Sequence, residues 1–510
     1  MNALELKNVT KCFGDVVANK SVNLEVKFGE ILAILGENGS GKTTLMNMVA
    51  GIYYPDEGQI FVNGEEVIIK SPKDAFKYKI GMIHQHFKLV DVFTATENII
   101  LGVDDGKKFN IKEAQKRVKE ITDKYGFVID LNKKIYEMSV SEKQTVEIIK
   151  VLYRGADILI LDEPTAVLTP QETRKLFDVL RRMRDDKKSI IIITHKLHEV
   201  LEISDRVTAL RKGEYVGTVN TADATEQSLT EMMVGEKIEL NIHRDDPKEL
   251  VERLDITNLT VVKKDGTIAL DNINLKAYGG EILGIAGISG CGQKELLESI
   301  AGLQLTTKKS SILYKPDDLG PQQLVGKTPR EIRKLGVALS FVPEDRLGMG
   351  LVGNMDIVDN MMLRSYKGGK TSFLDRKAPR KLANTIIDEL EVVTPNANTP
   401  VRRLSGGNVQ KVLVGREIAL EPKVLMVAYP VRGLDINSSY TIYNLLNKQK
   451  KKGVAVIFVG EDLDVLIELC DRIAVLSSGR ISGVVDGKTA NKEEIGLLMT
   501  KAAGGEKDGK

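Results

Sequence analysis

A glycine-rich loop with a lysine follows a short apolar run near the start of the chain. Residues 36–44 read GENGSGKTT, with ILAIL before them and LMNMVAG after them. Glycines let backbone N–H groups approach phosphates, and a helix N-terminus attracts anions. Lys42 is predicted to bridge the β- and γ-phosphates of a nucleotide, and the Thr43 hydroxyl to ligate Mg²⁺. The predicted phosphate-contacting residues are Gly36, Glu37, Asn38, Gly39, Ser40, Gly41, Lys42, Thr43 and Thr44.

Two adjacent carboxylates end a later apolar run. Residues 158–161 are apolar and are followed by Asp162 and Glu163. A strand that ends this way predicts that Asp162 holds Mg²⁺ through water and that Glu163 acts as general base toward an attacking water. Taken alone, the same two acids are equally typical of the first turn of a helix starting at Pro164. The phosphate loop favours the catalytic interpretation.

The chain repeats itself over a distance of domain size. Residues 29–41 (GEILAILGENGSG) are similar to 280–292 (GEILGIAGISGCG), and 156–164 (ADILILDEP) line up with 422–430 (PKVLMVAYP). Each repeat is large enough to fold as a domain. We expect a first domain over 1–240, a polar linker over 241–252, a second domain over 253–502 and a disordered tail over 503–510.

Short apolar runs alternate with helical patterns in both halves. Continuous apolar strands between helices indicate an α/β fold with a parallel sheet covered on both faces. The polar–apolar periods of residues 111–125 and 141–152 predict amphipathic helices inserted between the first and later strands.

The composition argues against two classes of protein. Lys and Arg total 73 and Asp and Glu 71, giving a net charge of +2. Nucleic-acid binders usually carry a strongly basic stripe, so no nucleic-acid partner is expected. The longest apolar runs are far shorter than the ~20 residues that cross a bilayer. The three widely spaced cysteines give neither a disulfide framework nor a cysteine zinc site.

Residues 404–411, LSGGNVQK, resemble the signature of ATP-binding cassette (ABC) ATPases. From about residue 3 to 500 the chain resembles a tandem cassette of the sugar and nucleoside importer group, which implies two P-loop NTPase domains, each with a parallel-sheet core and a helical insert. The resemblance implies that Phe13 stacks on adenine, that Gln85 links the metal to a membrane partner, and that His195 contacts the γ-phosphate. It assigns nucleotide contacts in the signature to Ser405, Gly406, Gly407 and Asn408.

Such ATPases pair head to tail, with ATP between the phosphate loop of one cassette and the signature of the other. The first half, with its phosphate loop, and the signature of the second half keep every residue type that the resemblance assigns to nucleotide binding and hydrolysis. The opposite pairing, of the second phosphate loop with the first signature, has lost these groups. Ala428 and Tyr429 stand at the positions of Asp162 and Glu163. Glu344 and Glu461 stand at the positions of Gln85 and His195. The residues that mark this degenerate site are Gly287, Gly290, Gly292, Gln293, Lys294 and Ser141.

We therefore expect one hydrolytic site and one silent site. The remaining glycines of the silent site are compatible with nucleotide held without chemistry, and also with a second half that is only a scaffold. The predicted enzyme is an ATPase that uses ATP and Mg²⁺.

The resemblance implies two integral-membrane permease subunits and an extracytoplasmic substrate-binding lipoprotein. The chain would then lie at the cytoplasmic face of the cell membrane, held there by the permeases. The apolar side chains of Phe87, Leu89, Val92 and Phe93 suit docking of a permease helix, and suit the core of the helical insert equally well.

The segments 84–102 and 153–172 look closer to the nucleoside-importing branch than to the ribose or galactose branch, which remains the alternative. A soluble tandem cassette protein acting on ribosomes is disfavoured by the short linker and near-zero net charge. A purely regulatory ATP switch is disfavoured by the retained Glu163 and His195.

Overall fold

The chain divides into two compact units, residues 1–239 and 240–510. The computed structural model describes residues 2–14, 16–85, 87–103, 111–166, 168–235, 242, 244–247, 249–288, 290–334, 339–343, 345–363, 365–366, 374–432, 434–460 and 462–500. Within those ranges, no helix has the length and apolar character that crossing a bilayer requires. The expected tail, 503–510, lies outside them.

The described residues of unit 1 include ten strands. They are β1 Asn2–Phe13, β2 Val16–Lys27, β3 Ile31–Leu35, β4 Glu57–Val62, β5 Glu65–Val67, β6 Ile80–Ile83, β7 Ile158–Asp162, β8 Ser189–Ile193, β9 Arg206–Arg211 and β10 Glu214–Asn220. Its helices are α1 Lys42–Val49, α2 Pro72–Lys77, α3 Ala95–Ile100, α4 Ile111–Tyr125, α5 Val140–Tyr153, α6 Pro170–Asp185, α7 Leu197–Ile203 and α8 Glu226–Val234.

These strands form two sheets. An antiparallel sheet has the order β2-β1-β4-β5, and a six-stranded sheet has the order β10-β9-β3-β8-β7-β6. The neighbours from β9 to β6 pair in parallel, whereas β10 is antiparallel to β9. All residues of β3, β7 and β8 are buried, as expected for strands covered on both faces.

A helical insert separates β6 from β7. Its own apolar core includes Ile99 on α3, Val118 on α4 and Ile149 on α5. The predicted helices at 111–125 and 141–152 are confirmed, the first as α4 and the second as α5 with one more residue at each end.

Unit 2 repeats this arrangement. Its strands are β11 Val251–Val262, β12 Ile268–Gly279, β13 Ile282–Gly287, β14 Ser311–Tyr314, β15 Gln322–Gln323, β16 Leu339–Val342, β17 Val424–Ala428, β18 Ala455–Val459, β19 Arg472–Ser477 and β20 Arg480–Asp486. Its helices are α9 Gln293–Ile300, α10 Pro329–Lys334, α11 Ile357–Met362, α12 Lys377–Glu389, α13 Gly406–Ile418, α14 Ile436–Lys451, α15 Leu463–Leu469 and α16 Lys492–Thr500.

The sheets of unit 2 have the orders β12-β11-β14-β15 and β16-β17-β18-β13-β19-β20, which match those of unit 1 strand for strand. The α/β fold with two parallel-sheet cores is therefore confirmed.

The polar stretch before β11 is bonded to the rest of unit 2. Arg244 donates from Nη1 to the carbonyl oxygens of Ile467 (2.8 Å) and Cys470, at the end of α15. Lys450 on α14 donates to the carbonyl oxygen of Asp245. Strand β11 begins at Val251, two residues before the expected start of the second domain at residue 253.

Candidate functional site

The carboxyl ends of three neighbouring parallel strands bring the predicted groups of unit 1 to one edge of the sheet. Ile34 of β3 pairs with Ile193 of β8, and Ile193 also pairs with Asp162 of β7. The phosphate loop follows β3, Glu163 follows β7 and His195 follows β8. Ligands of open α/β sheets bind at this edge.

The phosphate loop has glycine where other residues would clash. A Cβ on Gly36 would lie 2.3 Å from Leu210 O, and one on Gly41 would lie 2.4 Å from Ala18 O. Gly41 also has φ of 92° at the N-cap of α1. The loop conformation therefore requires glycine at both positions.

Lys42 lies in the loop with its ammonium turned onto the loop's own carbonyls. Nζ donates to Gly36 O at 2.6 Å and to Glu37 O at 2.9 Å. Burial lowers the pKa of Lys42, and the negative charges of Glu163, Asp162 and Glu37 oppose that shift. The loop thus holds a desolvated cation at the place predicted for phosphate.

Asp162 is 7% exposed and accepts a hydrogen bond from Thr43. Burial and the neighbouring charge of Glu163 raise the pKa of Asp162 to about 6, against the lowering effect of the Thr43 hydrogen bond and of Lys42. A carboxyl group whose pKa is raised by burial and by a neighbouring negative charge is typical of a functional site.

Glu163 has a backbone conformation that non-glycine residues rarely adopt, with φ of 50°. Its N–H donates to Ile193 O at 2.9 Å, which fixes the residue against β8. Oε1 lies 2.8 Å from His195 Nδ1. Oε2 is buried and finds no hydrogen-bond partner among the described residues. Such strain and an unsatisfied oxygen are expected at a site that awaits a substrate.

The oxygen donors at this edge fit Mg²⁺. Magnesium usually takes one or two protein carboxylates or hydroxyls and completes its shell with water and substrate phosphates. Asp162 and Thr43, already bonded to each other, provide such a pair. The described residues contain no group of three or more His, Cys, Asp and Glu able to form a full protein cage.

Gln85 is not joined to these groups. It lies two residues beyond β6, at the same sheet edge as Asp162, but its side chain is exposed and makes no hydrogen bond to another described residue. Of the apolar residues after it, Val92 is 66% exposed, whereas Phe87 and Phe93 are half-buried and Leu89 packs on the core of the insert. The contact of Leu89 with that core agrees with the core interpretation, and docking of a permease helix stays a prediction for the exposed Val92.

Phe13 is 44% exposed at the tip of the β1–β2 hairpin, and its ring lies edge-on to that of Tyr53, with centroids 5.2 Å apart. Sequence reasoning missed Tyr53, which follows α1. In unit 2, Lys263 and Lys264 follow β11 at the hairpin end and Gln304 follows α9. Unit 2 therefore lacks both exposed aromatics.

The degenerate loop of unit 2 keeps the backbone pattern without the charge. Gln293 is buried, and its Nε2 donates to Ile288 O at 3.0 Å, the carbonyl that corresponds to Glu37 O. Lys294, at the position of Thr43, is exposed and lies 3.9 Å from Glu298. Gly287 and Gly292 remain closely packed, and Gly290 has φ of 89°. The loop survives as a fold element with a neutral amide in place of an ammonium.

Tyr429 repeats the backbone of Glu163. Its φ is 47°, and its N–H donates to Val459 O at 2.8 Å. A cavity of about 260 Å³ is lined by Tyr429, Ala428, Lys294 and their neighbours. Glu344 and Glu461 lie outside the described residues. The strained turn has therefore been kept where the carboxylate has been lost.

The two signature segments differ at the start of their helices. Ser405 caps α13, and Asn408 bridges the Ser405 Oγ (2.8 Å) and the Val393 N–H (2.9 Å), so the Asn408 side chain shapes the loop. In unit 1, the Ser139 hydroxyl caps α5 by accepting from the Glu142 N–H, and the Ser139 N–H donates in return to Glu142 Oε2 at 2.7 Å. Ser141 follows in the first turn of α5, where Gly407 stands in α13.

Comparison with known proteins agrees with these features. Residues 19–166 and 270–430 match the family model described as ABC transporter. The nucleoside import ATP-binding protein NupA of Lactococcus lactis subsp. cremoris is 41% identical over 503 residues, which are 97% of each chain. The guanosine import ATP-binding protein NupO of Bacillus subtilis is 41% identical over 501 residues, again 97% of each chain.

A ribose import ATP-binding protein, RbsA of Caldanaerobacter subterraneus subsp. tengcongensis, is 34% identical over 508 residues, or 99% of each chain. The family matches both units, and the similarity to import ATP-binding proteins extends over nearly the whole chain. The chain belongs to the ABC transporter family, as an ATPase with two tandem cassettes.

Proposed function

We propose that this chain is the ATP-hydrolysing subunit of a nucleoside importer and that it turns over ATP at one composite site. The phosphate loop, Asp162, Glu163 and His195 of unit 1 would form one side of that site. Ser405, Gly406 and Gly407 of unit 2 would form the other. The proposal depends on one observation: unit 2 has lost the ammonium and the carboxylate that unit 1 keeps. Gln293 and Tyr429 lie at the positions of Lys42 and Glu163.

The residues of unit 1 have separate tasks in this scheme. Lys42 exchanges its bonds to Gly36 O and Glu37 O for phosphate oxygens. Glu163 uses Oε2, its unpartnered oxygen, to accept a proton from the attacking water, while His195 holds Oε1. Bound Mg²⁺ would neutralise charge on the β- and γ-phosphates, and Asp162, Thr43 and Gln85 are the residues that would hold it.

Unit 2 contributes the signature. The first turn of α13, a helix of 13 residues, presents backbone N–H groups and the positive end of the helix dipole. Gly406 and Gly407 leave room for a phosphate against that turn. Closure of the two units around ATP would drive the permeases, because ATP binds the closed form better than the open one.

Nucleosides are the proposed cargo because relatives named for nucleoside and guanosine import are 41% identical to the chain, against 39% for a relative named for glucose import and 34% for one named for ribose import. The permease partners would be two membrane subunits. A substrate-binding lipoprotein outside the membrane would deliver the cargo to them. The chain would then work at the cytoplasmic face of the membrane.

The test is ATP turnover by the assembled transporter, measured with a panel of nucleosides and with ribose and galactose. Nucleosides are expected to stimulate turnover, and stimulation by sugars alone would overturn the cargo assignment.

Glu163→Gln is expected to bind ATP and lose nearly all hydrolysis, trapping a closed state. Normal turnover in that variant would refute the role of Glu163.

A further inference from the structure

Helix α7 begins with a residue that is poor at its position. Lys196 occupies the N-cap, makes no side-chain cap, and places a cation at the positive end of the helix. In unit 2 the same position holds Asp462, whose side chain accepts a hydrogen bond from Asp464 N–H at 2.9 Å. Unit 1 therefore lacks a stabilising cap that unit 2 has. Residues that go against a local preference, such as the preference for a capping side chain at a helix N-terminus, are found mainly at functional sites.

Lys196 reaches across to the loop that follows β7. Its Nζ donates to Thr165 O at 3.2 Å and lies 3.0 Å from Glu199 Oε1. Glu199 Oε2 accepts from the Thr165 hydroxyl at 2.5 Å. Glu199 is 4% exposed and Thr165 is 1% exposed. The three side chains form a closed network that is buried at Glu199 and Thr165, while the side chain of Lys196 is 20% exposed. Charged hydrogen bonds to such buried groups are strong and specific in direction.

This network lies directly beside the hydrolytic pair. Thr165 is two residues after Glu163, and Lys196 follows His195 immediately. The network therefore joins the two segments that carry the 2.8 Å contact between Glu163 Oε1 and His195 Nδ1.

Unit 2 has lost every member of the network. Val431, Asp462 and Val465 occupy the positions of Thr165, Lys196 and Glu199. Its strands β17 and β18 nevertheless keep the pairing of β7 and β8. The network is thus dispensable for the fold of this region and is present only where the acid and the imidazole are present.

We propose that Lys196, Glu199 and Thr165 are positioning residues that fix the distance between Glu163 and His195 during hydrolysis. The proposal rests on the function proposed above, since it assigns these residues to the site in unit 1. A shift of about 1 Å in a catalytic group can lower the rate as much as 100-fold. A network that holds Glu163 and His195 in place therefore has a large effect on turnover.

The test transplants the residues of unit 2 into unit 1. Lys196→Asp combined with Glu199→Val removes the network and supplies a good N-cap. In the assembled transporter, we expect kcat to fall about tenfold or more, with the KM for ATP within about twofold. The unfolding temperature should be unchanged or higher because the new cap stabilises α7. A purely structural role would instead lower the unfolding temperature.

Controls separate the possible failures. Lys175→Asp reverses a charge at an exposed position of α6 and should leave kcat unchanged. Lys196→Arg keeps a cation and should retain most of the turnover. If Glu163→Gln is inactive while the transplant keeps kcat within twofold of the wild type, the positioning role is wrong. If Glu163→Gln turns over normally, the proposed function itself fails.

A second variant covers the case in which the transplant does not fold. Thr165→Val with Glu199→Val reproduces the Val431 and Val465 pair and leaves no buried carboxylate without a partner. The same fall in kcat at unchanged KM is expected, and wild-type kcat in this variant would overturn the proposal.

Discussion

Replacing Lys42 by the residue that unit 2 carries separates folding from chemistry. Gln293 shows that an amide fits this loop, since its Nε2 donates to Ile288 O at 3.0 Å. Lys42→Gln would keep one such bond, lose one bond of 2.6 or 2.9 Å, and no longer bury a cation. These effects oppose each other, so the free energy of unfolding should change by only about 1 kcal/mol.

The effect on hydrolysis should be far larger. Removing one preorganised donor from a transition state typically costs about 10²–10³ in kcat, or ~3–4 kcal/mol. Lys42 also opposes the raised pKa of Asp162, about 6, so its loss moves that pKa further upward. At neutral pH a larger fraction of Asp162 would then be protonated and unable to hold a metal.

The assay is steady-state ATP hydrolysis by the assembled transporter at pH 7 and pH 8.5, together with thermal unfolding. We expect at least a 100-fold loss at pH 7, a partial recovery at pH 8.5 and a nearly unchanged unfolding temperature. Gln293→Lys is the matched control in unit 2 and should add no activity, because Ala428 and Tyr429 provide no carboxylate. Turnover of Lys42→Gln within tenfold of the wild type would show that the charge of Lys42 is not needed for hydrolysis.

Two further predictions concern stability and nucleotide affinity. The folded state binds a proton at Asp162 more tightly than the unfolded chain does, with a pKa of about 6 against the usual 3.8, so the free energy of unfolding falls as pH rises between those values. Asp162→Asn should therefore stabilise the nucleotide-free protein by up to about 3 kcal/mol at pH 7 and by about 1 kcal/mol at pH 4.5, which denaturant unfolding at both pH values can check. Phe13→Ala removes the exposed ring beside Tyr53 and should raise the KM for ATP about fivefold with little change in kcat, because an aromatic stack contributes about 1 kcal/mol. An unchanged KM would exclude contact of this ring with the base.

Much of the fold follows from local sequence patterns. The five-residue strands β3, β7 and β8 each contain at least four consecutive apolar residues, and the loop after β3 is rich in glycine. The amphipathic helix α4 has a polar–apolar period. Lys42, Asp162 and Glu163 were predicted from residue types and spacing, whereas His195 was predicted from the resemblance to ABC ATPases. The four residues meet because the carboxyl ends of parallel strands lie at one edge of the sheet.

The parts that were missed depend on contacts between distant residues. The edge-on pair of Phe13 and Tyr53 and the network of Lys196, Glu199 and Thr165 join segments that no local pattern connects. One signal for the network was present, namely a lysine where a helix usually has a capping residue. The turned-in ammonium of Lys42 was missed as well, because a motif gives residue types but not the partners they take before substrate binds.

The proposed composite site pairs the phosphate loop of unit 1 with the signature of unit 2. Gly407 and Ser141 hold corresponding positions in the two signatures, so Gly407→Asp and Ser141→Asp form a matched pair. A Cβ on Gly407 would lie 3.0 Å from Ser438 Oγ and 3.5 Å from Asp435 Oδ2, so an aspartate there adds a crowded negative charge.

The decisive measurement is ATP turnover by the two variants in the assembled transporter. We predict that Gly407→Asp lowers kcat about 100-fold, close to the effect of Lys42→Gln, and that Ser141→Asp stays within about twofold of the wild type. Normal turnover in Gly407→Asp, or equal losses in both variants, would contradict a single composite site.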